Sequence, residues 1–320
     1  MLTPTLRQLE YIVAIADTGQ FVEAARQCAV SQPALSRQVR EVEELLGVVI
    51  FERARPRVIV TRSGKEIVDR ARSLLADARD LVEAAHVLSG TQRGVVRLGV
   101  IPTIAPYGLS GCLAKLRDLY PEVSFAIHEL QTDVLLEKLR GGEIDVGLLA
   151  RSFDDTGLTG VDLVDEPFVL VAPAGHALAS PSSIAQGEIF GAELILMEDG
   201  HCLRDQAVDL CAVAGRASAM TVSAASVSTL TRMVESGLGA TLLPASALQT
   251  EVRAGQGLVA RAFDAPAPGR TITLQWRATS PKSAWFERIG EVIEAHYLQM
   301  NTSIDMIFGG APEISRASRT

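Results

Sequence analysis

Residues 20–47 read QFVEAARQCAVSQPALSRQVREVEELLG. Apolar Phe21, Ala24, Ala25 and Cys28 recur at helical spacing and predict a short helix over Phe21–Cys28. Ala29-Val30 is a tight turn, and Ser31 after it is a good N-cap. Pro33 falls in the first turn of the next helix, where a missing N–H costs nothing. Val30 and Leu35 sit at staple positions across the cap. The helix runs to Leu46, and Gly47 ends it. With Leu35 as zero on a wheel of about 100° per residue, Val39, Val42 and Leu46 fall within about 40° of it. Pro33, Ser36, Arg37 and Arg40 gather on the far side, flanked by Gln32. Two short helices at a tight turn, the second showing Gln, Ser and Arg outward, form a helix-turn-helix. Gln and Arg are the side chains that read adenine and guanine edges bidentately.

Working outward, Thr5–Thr18 predicts a first helix, with Leu6, Leu9, Ile12, Val13 and Ala16 apolar and Gly19 as its stop. On the other side, Val49-Ile50-Phe51 and Val58-Ile59-Val60 flank a basic turn holding Arg53, Arg55 and Arg57. Strand, basic turn, strand is a wing, and its arginines suit phosphates or a minor groove. An ordinary three-helix bundle with a charged outer face is the plainer alternative. From Thr61 the period changes: Ile67, Ala71, Leu74, Ala78, Leu81, Ala85 and Leu88 step alternately by four and three. That heptad seam asks for a partner helix, and a dimer supplies the two heads that half-site reading needs. Ser89 to Gly94 is a polar, glycine-bearing hinge.

Charge follows the same division. The net charge is −8, yet residues 1–65 carry nine Lys/Arg against seven Asp/Glu. The acidic excess lies behind them, with 18 basic and 26 acidic residues after position 90. A mildly basic head on an acidic body can still grip DNA, since phosphate contacts are local. With 48% hydrophobic residues the chain is globular, and 320 residues suit about two domains. No stretch reaches the roughly 18 apolar residues of a spanning helix, and Arg7 and Glu10 interrupt any export signal. A cytoplasmic protein is expected, without structural disulfides and without a membrane partner. A periplasmic receptor is disfavoured on the same grounds.

From residue 95 strands alternate with helices. Strands are expected over Val95–Ile101, Val123–Glu129, Ile144–Leu149, Phe168–Ala172, Leu194–Met197, Met220–Val222, Ala240–Leu243 and Thr271–Arg277. Helices are expected over Pro106–Leu119, Thr132–Arg140, Ser183–Phe190, Leu203–Val213, Val227–Ser236 and Ala284–Gln299. The pattern implies an α/β domain of two Rossmann-like, mostly parallel lobes with a cleft between them. The expected organisation is therefore a winged helix-turn-helix over 1–60, a linker helix over 61–89, a hinge over 90–94, the two-lobed domain over 95–300, and a loose tail over 301–320.

Four cysteines remain. Cys28 and Cys112 sit in apolar helix stripes and read as packing. Cys202 lies in Glu198-Asp199-Gly200-His201-Cys202-Leu203-Arg204-Asp205-Gln206, after a strand and at a helix start. A helix N-terminus, His201 and Arg204 would favour a thiolate, while Asp199 and Asp205 push the other way. An inert cysteine in a polar turn is the equal alternative. Cys211 is nine residues on, inside the expected helix. Nine helical residues rise about 13 Å, and a disulfide needs α-carbons roughly 4.4–6.8 Å apart. The two could join only if that helix came apart.

These stretches together resemble the LysR-type transcriptional regulators over about residues 3–300. The first 90 residues look like their winged head and linker helix, the rest like their two-lobed, periplasmic-binding-protein-like effector domain. The segment around Cys202, with Cys211, is similar to the redox switch of that family's hydrogen-peroxide sensors. The resemblance implies that Cys202 is the peroxidatic thiol and Cys211 its disulfide partner. It implies that Thr103 and Thr132 hold peroxide, although both also fit as helix caps. It gives His201, Arg204, Asp205 and Arg277 supporting roles, and makes Gln32, Pro33, Ser36, Arg37 and Arg53 DNA contacts. It also implies a homotetramer on spaced promoter half-sites of double-stranded DNA. RNA polymerase would be a partner, and thioredoxin or glutaredoxin the reductant. No cofactor, no metal and no enzymatic turnover are expected. A regulator binding a small organic effector in the cleft, with both cysteines incidental, is the rival.

Overall fold

The structure is a computed structural model that describes residues 3–53, 57–88, 93–151, 155–189, 194–212, 222–253, 255, 257–308 and 314–317. The chain divides into two compact units, the first essentially residues 1–91.

In the first unit α1 (Leu6–Thr18) opens on Thr5, whose side chain and Gln8 make a reciprocal capping box. Gly19 closes it at φ 64°. After α2 (Phe21–Gln27), Ala29 turns the chain at φ 54°, and Val30 N–H donates to Ala25 O at 3.0 Å. Ser31 then caps α3 (Gln32–Leu46), and Gly47 at φ 66° ends it. Ile12, Ile15, Leu35, Val39 and Val42 form the core. The wing strands β1 (Phe51–Arg53) and β2 (Val58–Val60) pair antiparallel. The wing tip, with Arg55, lies outside the described residues, as does the side chain of Arg53.

The linker helix α4 (Arg62–Leu88) does not present its whole seam outward. Val68, Ala71 and Leu75 join the head's core, whereas Leu74 and Leu81 are exposed. The seam therefore meets the head at Ala71 and is free of it from Leu74 to Leu81.

The second unit begins with β3 (Gly94–Val100), which leads through a π-turn at Ala105–Leu109 into α5 (Leu113–Leu119). The expected single helix over Pro106–Leu119 is thus two pieces. Then come β4 (Val123–Glu129), α6 (Thr132–Arg140) and β5 (Val146–Ala150). Next is β6, sixteen residues from Leu158 to Pro173, of which only the last third was legible as a strand. β7 (Ser183–Ile184) and a 3₁₀ turn at Gln186–Ile189 replace the helix expected near Ser183. β8 (Leu196–Met197), α7 (Cys202–Ala212), β9 (Ser223–Ala224), α8 (Val227–Glu235), β10 (Thr241–Pro244) and α9 (Leu248–Glu251) follow. β11 (Leu258–Phe263), unforeseen, β12 (Gly269–Arg277), α10 (Ser283–Phe308) and β13 (Ser315–Arg316) complete the chain.

The nine-stranded sheet runs β4-β3-β5-β12-β6-β11-β7, with β10 and β13 also on β6. β3 is parallel to β4 and β5, and β11 to β7, but β5–β12, β12–β6, β6–β11 and β6–β10 are antiparallel. The sheet is mixed, which corrects the expectation of mostly parallel strands. β6 explains why. Its first part pairs with β12 in one lobe, and its end pairs with β10 and β11 in the other. A strand that crosses between lobes and back again must run against its neighbours.

The loose tail is also corrected. α10 continues to Phe308, and Ile314 beyond it is fully buried. The Asn301 amide donates to Ile314 O at 2.6 Å and accepts Ile314 N–H at 2.9 Å. β13 then pairs with β6 at Asp165 and Val164. Among the described residues no helix is long and apolar enough to cross a membrane.

Candidate functional site

α7 starts at Cys202, so its first N–H groups have no partner within the helix and favour negative charge beside them. The turn before it depends on Gly200, at φ 89°. A Cβ there would also meet Gln131 Oε1 at 2.9 Å. Alanine at Gly200 should therefore cost about 1–2 kcal/mol and shift Cys202. We expect its reaction with an oxidant to slow on the order of tenfold or more, since ångström misplacements are costly. Urea melts and stopped-flow oxidation of the variant check both.

The half-buried Cys202 lines a small, tight cavity with Ile101, Pro102, Thr103, Gln131, Thr132, Gly200 and His201. Four residues expected at the site, Thr103, Thr132, His201 and Cys202, are thus brought together. Thr103 lies in the turn just after β3 and Thr132 starts α6, so one lobe supplies both threonines and the other supplies the thiol. His201 is buried, and its Nε2 lies 3.5 Å from the Gln131 amide.

Arg204 and Asp205 are not in the cavity lining. Arg204 braces the turn instead, donating to Met197 O at 3.0 Å and pairing with Asp199 Oδ1 at 2.7 Å. Asp205 is exposed. Partial burial, then Asp209, raise its carboxyl pKa against the pull of Arg204. Arg277 is a correction. It sits at the far end of β12, where its guanidinium donates to Leu139 O at 3.2 Å and Ile144 O at 3.3 Å.

The arginine that does reach the site is Arg270, seven residues earlier on β12, or about 23 Å away at the usual strand rise. Its side chain is fully buried. It donates to Thr103 Oγ1 at 2.7 Å and to Thr103 O at 3.0 Å, and pairs with Glu166 at 2.9 Å. Burial works against its charge, but Glu166 and then Cys202 outweigh that and its pKa rises. Arg270 is thus a fixed cation whose field includes the Cys202 sulfur. Nothing local in Gly269-Arg270-Thr271 signals this role, because its partners lie 104 and 167 residues away.

The other described cysteines fit packing. Cys112 is buried and its thiol donates to Leu109 O at 3.1 Å, and burial pushes its pKa up to about 11. Burial also raises the Cys28 thiol. A protonated thiol is a poor nucleophile. Cys211 is the tenth residue of α7, and its side chain lies outside the described residues. Among the described residues no group of three or more His, Cys, Asp or Glu could hold a metal.

In the head, Gln32, Pro33 and Arg37 are exposed on α3, and Arg37 sits 3.8 Å from Glu41. Ser36 is not outward as expected: it is buried, with Arg40 Nη2 reaching over its hydroxyl at 3.4 Å. A small side chain at the edge of the wheel's polar arc is covered by its longer neighbour.

A helix-turn-helix head and a two-lobed body with a small thiol-bearing cavity define a signal-responsive DNA-binding regulator. The chain belongs to the LysR family of bacterial regulatory proteins, which bind DNA and are not enzymes. Residues 6–65 match the bacterial regulatory helix-turn-helix protein of that family, and residues 89–297 match the LysR substrate binding domain. The chain is 42% identical over 291 residues to a probable hydrogen peroxide-inducible genes activator of Streptomyces viridosporus, covering 91% of this chain and 93% of that one. It resembles a full-length cysteine-to-aspartate variant of OxyR from Pseudomonas aeruginosa, with a TM-score of 0.78, 33% identity and 100% coverage of both chains. It also resembles a hydrogen peroxide-bound cysteine-to-serine mutant of Corynebacterium glutamicum OxyR, with a TM-score of 0.66, 33% identity and 98% of each chain covered.

Proposed function

We propose that the protein is a cytoplasmic, hydrogen peroxide-sensing transcription regulator whose reacting atom is the Cys202 sulfur. The observation that carries this reading is the cavity in which Cys202, at a helix start, meets Thr103, Thr132 and His201, with Arg270 behind Thr103. Small polar donors around a thiol suit a ligand of two oxygens. The Cys202 thiolate attacks one peroxide oxygen, an S–O bond forms, and the O–O bond breaks. The other oxygen leaves as hydroxide and is protonated to water, which leaves Cys202 as a sulfenic acid. The Cys211 thiolate then attacks that sulfur, expelling its oxygen as water and closing a disulfide.

Cys202 and Cys211 share one helix, about 13 Å apart along its axis by the usual rise. Disulfide formation therefore requires α7 to unwind, which supplies the two-state element of a switch. Arg204 and Asp205, in the first turn of α7, contribute by bracing the turn and by their charge. In a homotetramer bridging spaced half-sites, unwinding α7 alters the spacing of the heads and so the contact with RNA polymerase. Thioredoxin or glutaredoxin returns the dithiol. Peptide mapping of peroxide-treated protein should yield a Cys202–Cys211 cross-linked peptide at low micromolar peroxide. Its absence, with thiols consumed only in vast excess, overturns the reading and leaves an organic effector as the signal.

On the DNA side, Gln32, Pro33 and Arg37 of α3, with Arg53 on the wing, form the contact surface. Arg37→Ala should weaken binding to an operator duplex selected by the wild-type protein by about 1–3 kcal/mol. Its thiol oxidation rate should not change. Fluorescence anisotropy and a thiol assay on the same preparation measure both.

A further inference from the structure

Glu166 lies on β6, directly across from Arg270 in the antiparallel β6–β12 register. Both side chains are fully buried. Carboxylates persist in such places when they are paired and their lone pairs are filled. Glu166 Oε2 accepts from Arg270 Nε and Nη2, each at 2.9 Å, and Oε1 accepts the Ser246 backbone N–H at 2.9 Å. The carboxylate therefore has one orientation, and so does the guanidinium bound to it.

The remaining guanidinium donors converge on one residue. Nη1 donates to Thr103 Oγ1 at 2.7 Å and Nη2 to Thr103 O at 3.0 Å. An arginine cannot accept a hydrogen bond. Thr103 Oγ1 is thus the acceptor in that contact, and its single O–H must point elsewhere. Among the described residues no hydrogen bond takes up that proton, and Thr103 lines the cavity beside Cys202. The proton is left for whatever occupies the cavity.

We propose that Glu166 is a positioning residue for the thiol reaction: through Arg270 it fixes the Thr103 hydroxyl as a hydrogen-bond donor to peroxide beside Cys202. The inference rests on Cys202 as the peroxide-reactive thiol. In that step the sulfur gains a bond to one oxygen and is oxidised. The O–O bond breaks, and its electron pair goes to the departing oxygen, which takes up a proton to become water. A fixed O–H aimed at the departing oxygen stabilises the charge that grows there. Thr103 touches the peroxide, whereas Glu166 and Ser246 N–H act only through the guanidinium.

The test follows the Cys202 peptide of full-length protein by quenched mass spectrometry, with two reagents. Iodoacetamide needs only a thiolate, while hydrogen peroxide needs a donor as well. Alkylation is first measured across pH, and both rates are then compared where the thiol is fully ionised. Glu166→Gln should slow oxidation by peroxide about tenfold to a hundredfold and leave alkylation within about twofold. Thr103→Val should show a similar loss, and adding Glu166→Gln to it should cost little more. Should Glu166→Gln fail to fold, Glu166→Gln with Arg270→Met removes both charges together and is expected to match Thr103→Val.

A wild-type peroxide rate in the Glu166 variants overturns the proposal. So does an equal slowing with both reagents, which would mean a general distortion, or losses that simply multiply. If wild-type Cys202 itself reacts with peroxide no faster than a free thiol, the underlying reading falls and takes this one with it. That outcome is visible in the wild-type protein alone.

Discussion

Cys202→Ser is expected to abolish the response to hydrogen peroxide while DNA binding persists. A free cysteine is already a few per cent thiolate at neutral pH, whereas a serine hydroxyl is essentially un-ionised, and sulfur is the better nucleophile toward oxygen. The loss in oxidation rate at this position should be at least on the order of a thousandfold. The change is small in shape, and serine is tolerated at a helix start, so α7 should stand and the fold should be unaltered. The helix-turn-helix belongs to the other compact unit and shares no residue with the cavity. Operator affinity in reducing buffer should therefore equal that of the wild type. The measurement pairs anisotropy on operator DNA with a peroxide titration of the same sample. A variant that still changes its DNA binding or transcription output at low micromolar peroxide would show that another group senses the oxidant.

Arg270→Met carries the second large effect. The guanidinium is wholly enclosed, and its removal leaves Glu166 buried opposite an apolar side chain. Breaking a buried pair by deleting one partner costs about 3–5 kcal/mol. For a domain of this size that lowers the melting temperature by roughly 10 °C. Thr103 loses both of its guanidinium donors in the same step, so oxidation of Cys202 slows as well. Adding Glu166→Gln to Arg270→Met should recover most of the stability but none of the oxidation rate. Calorimetry on the single and double variants separates these terms. A single variant as stable as the wild type would mean that the pair contributes no more than its hydrophobic replacement.

Local signals carried the head and much of the sheet unit. Ser31, Pro33 and Gly47 announce the ends of α3, and the apolar period of Leu35, Val39 and Val42 announces its core face. The same kind of signal places Thr132 at the start of α6 and Cys202 at the start of α7. Ser36 was misread because a wheel records direction and not the reach of a neighbour such as Arg40. β11 was missed because its alternation, Leu258 to Phe263, is interrupted by Arg261, whose guanidinium donates to the carbonyls of Ala179 and Ala260. The tail was misread because Asn301 and Ile314 look like ordinary polar and apolar residues until they meet.

By itself the amino-acid order determined the helix-turn-helix, the linker helix, the alternation of strands and helices, and a thiol at a helix start with a second cysteine nine residues on. Each of these is written in caps and periods that span fewer than about ten residues. Only the tertiary structure decided which arginine of β12 stands behind the thiol and which carboxylate holds it. It also decided that a crossing strand makes the sheet mixed and that Ser315–Arg316 pair with that same strand. The physical reason is distance along the chain: Arg270 comes within 3.0 Å of both Thr103 and Glu166 only when β12, β6 and the loop after β3, all far apart in sequence, are packed together. A side chain's neighbours across a sheet leave no mark on the spacing of its own segment.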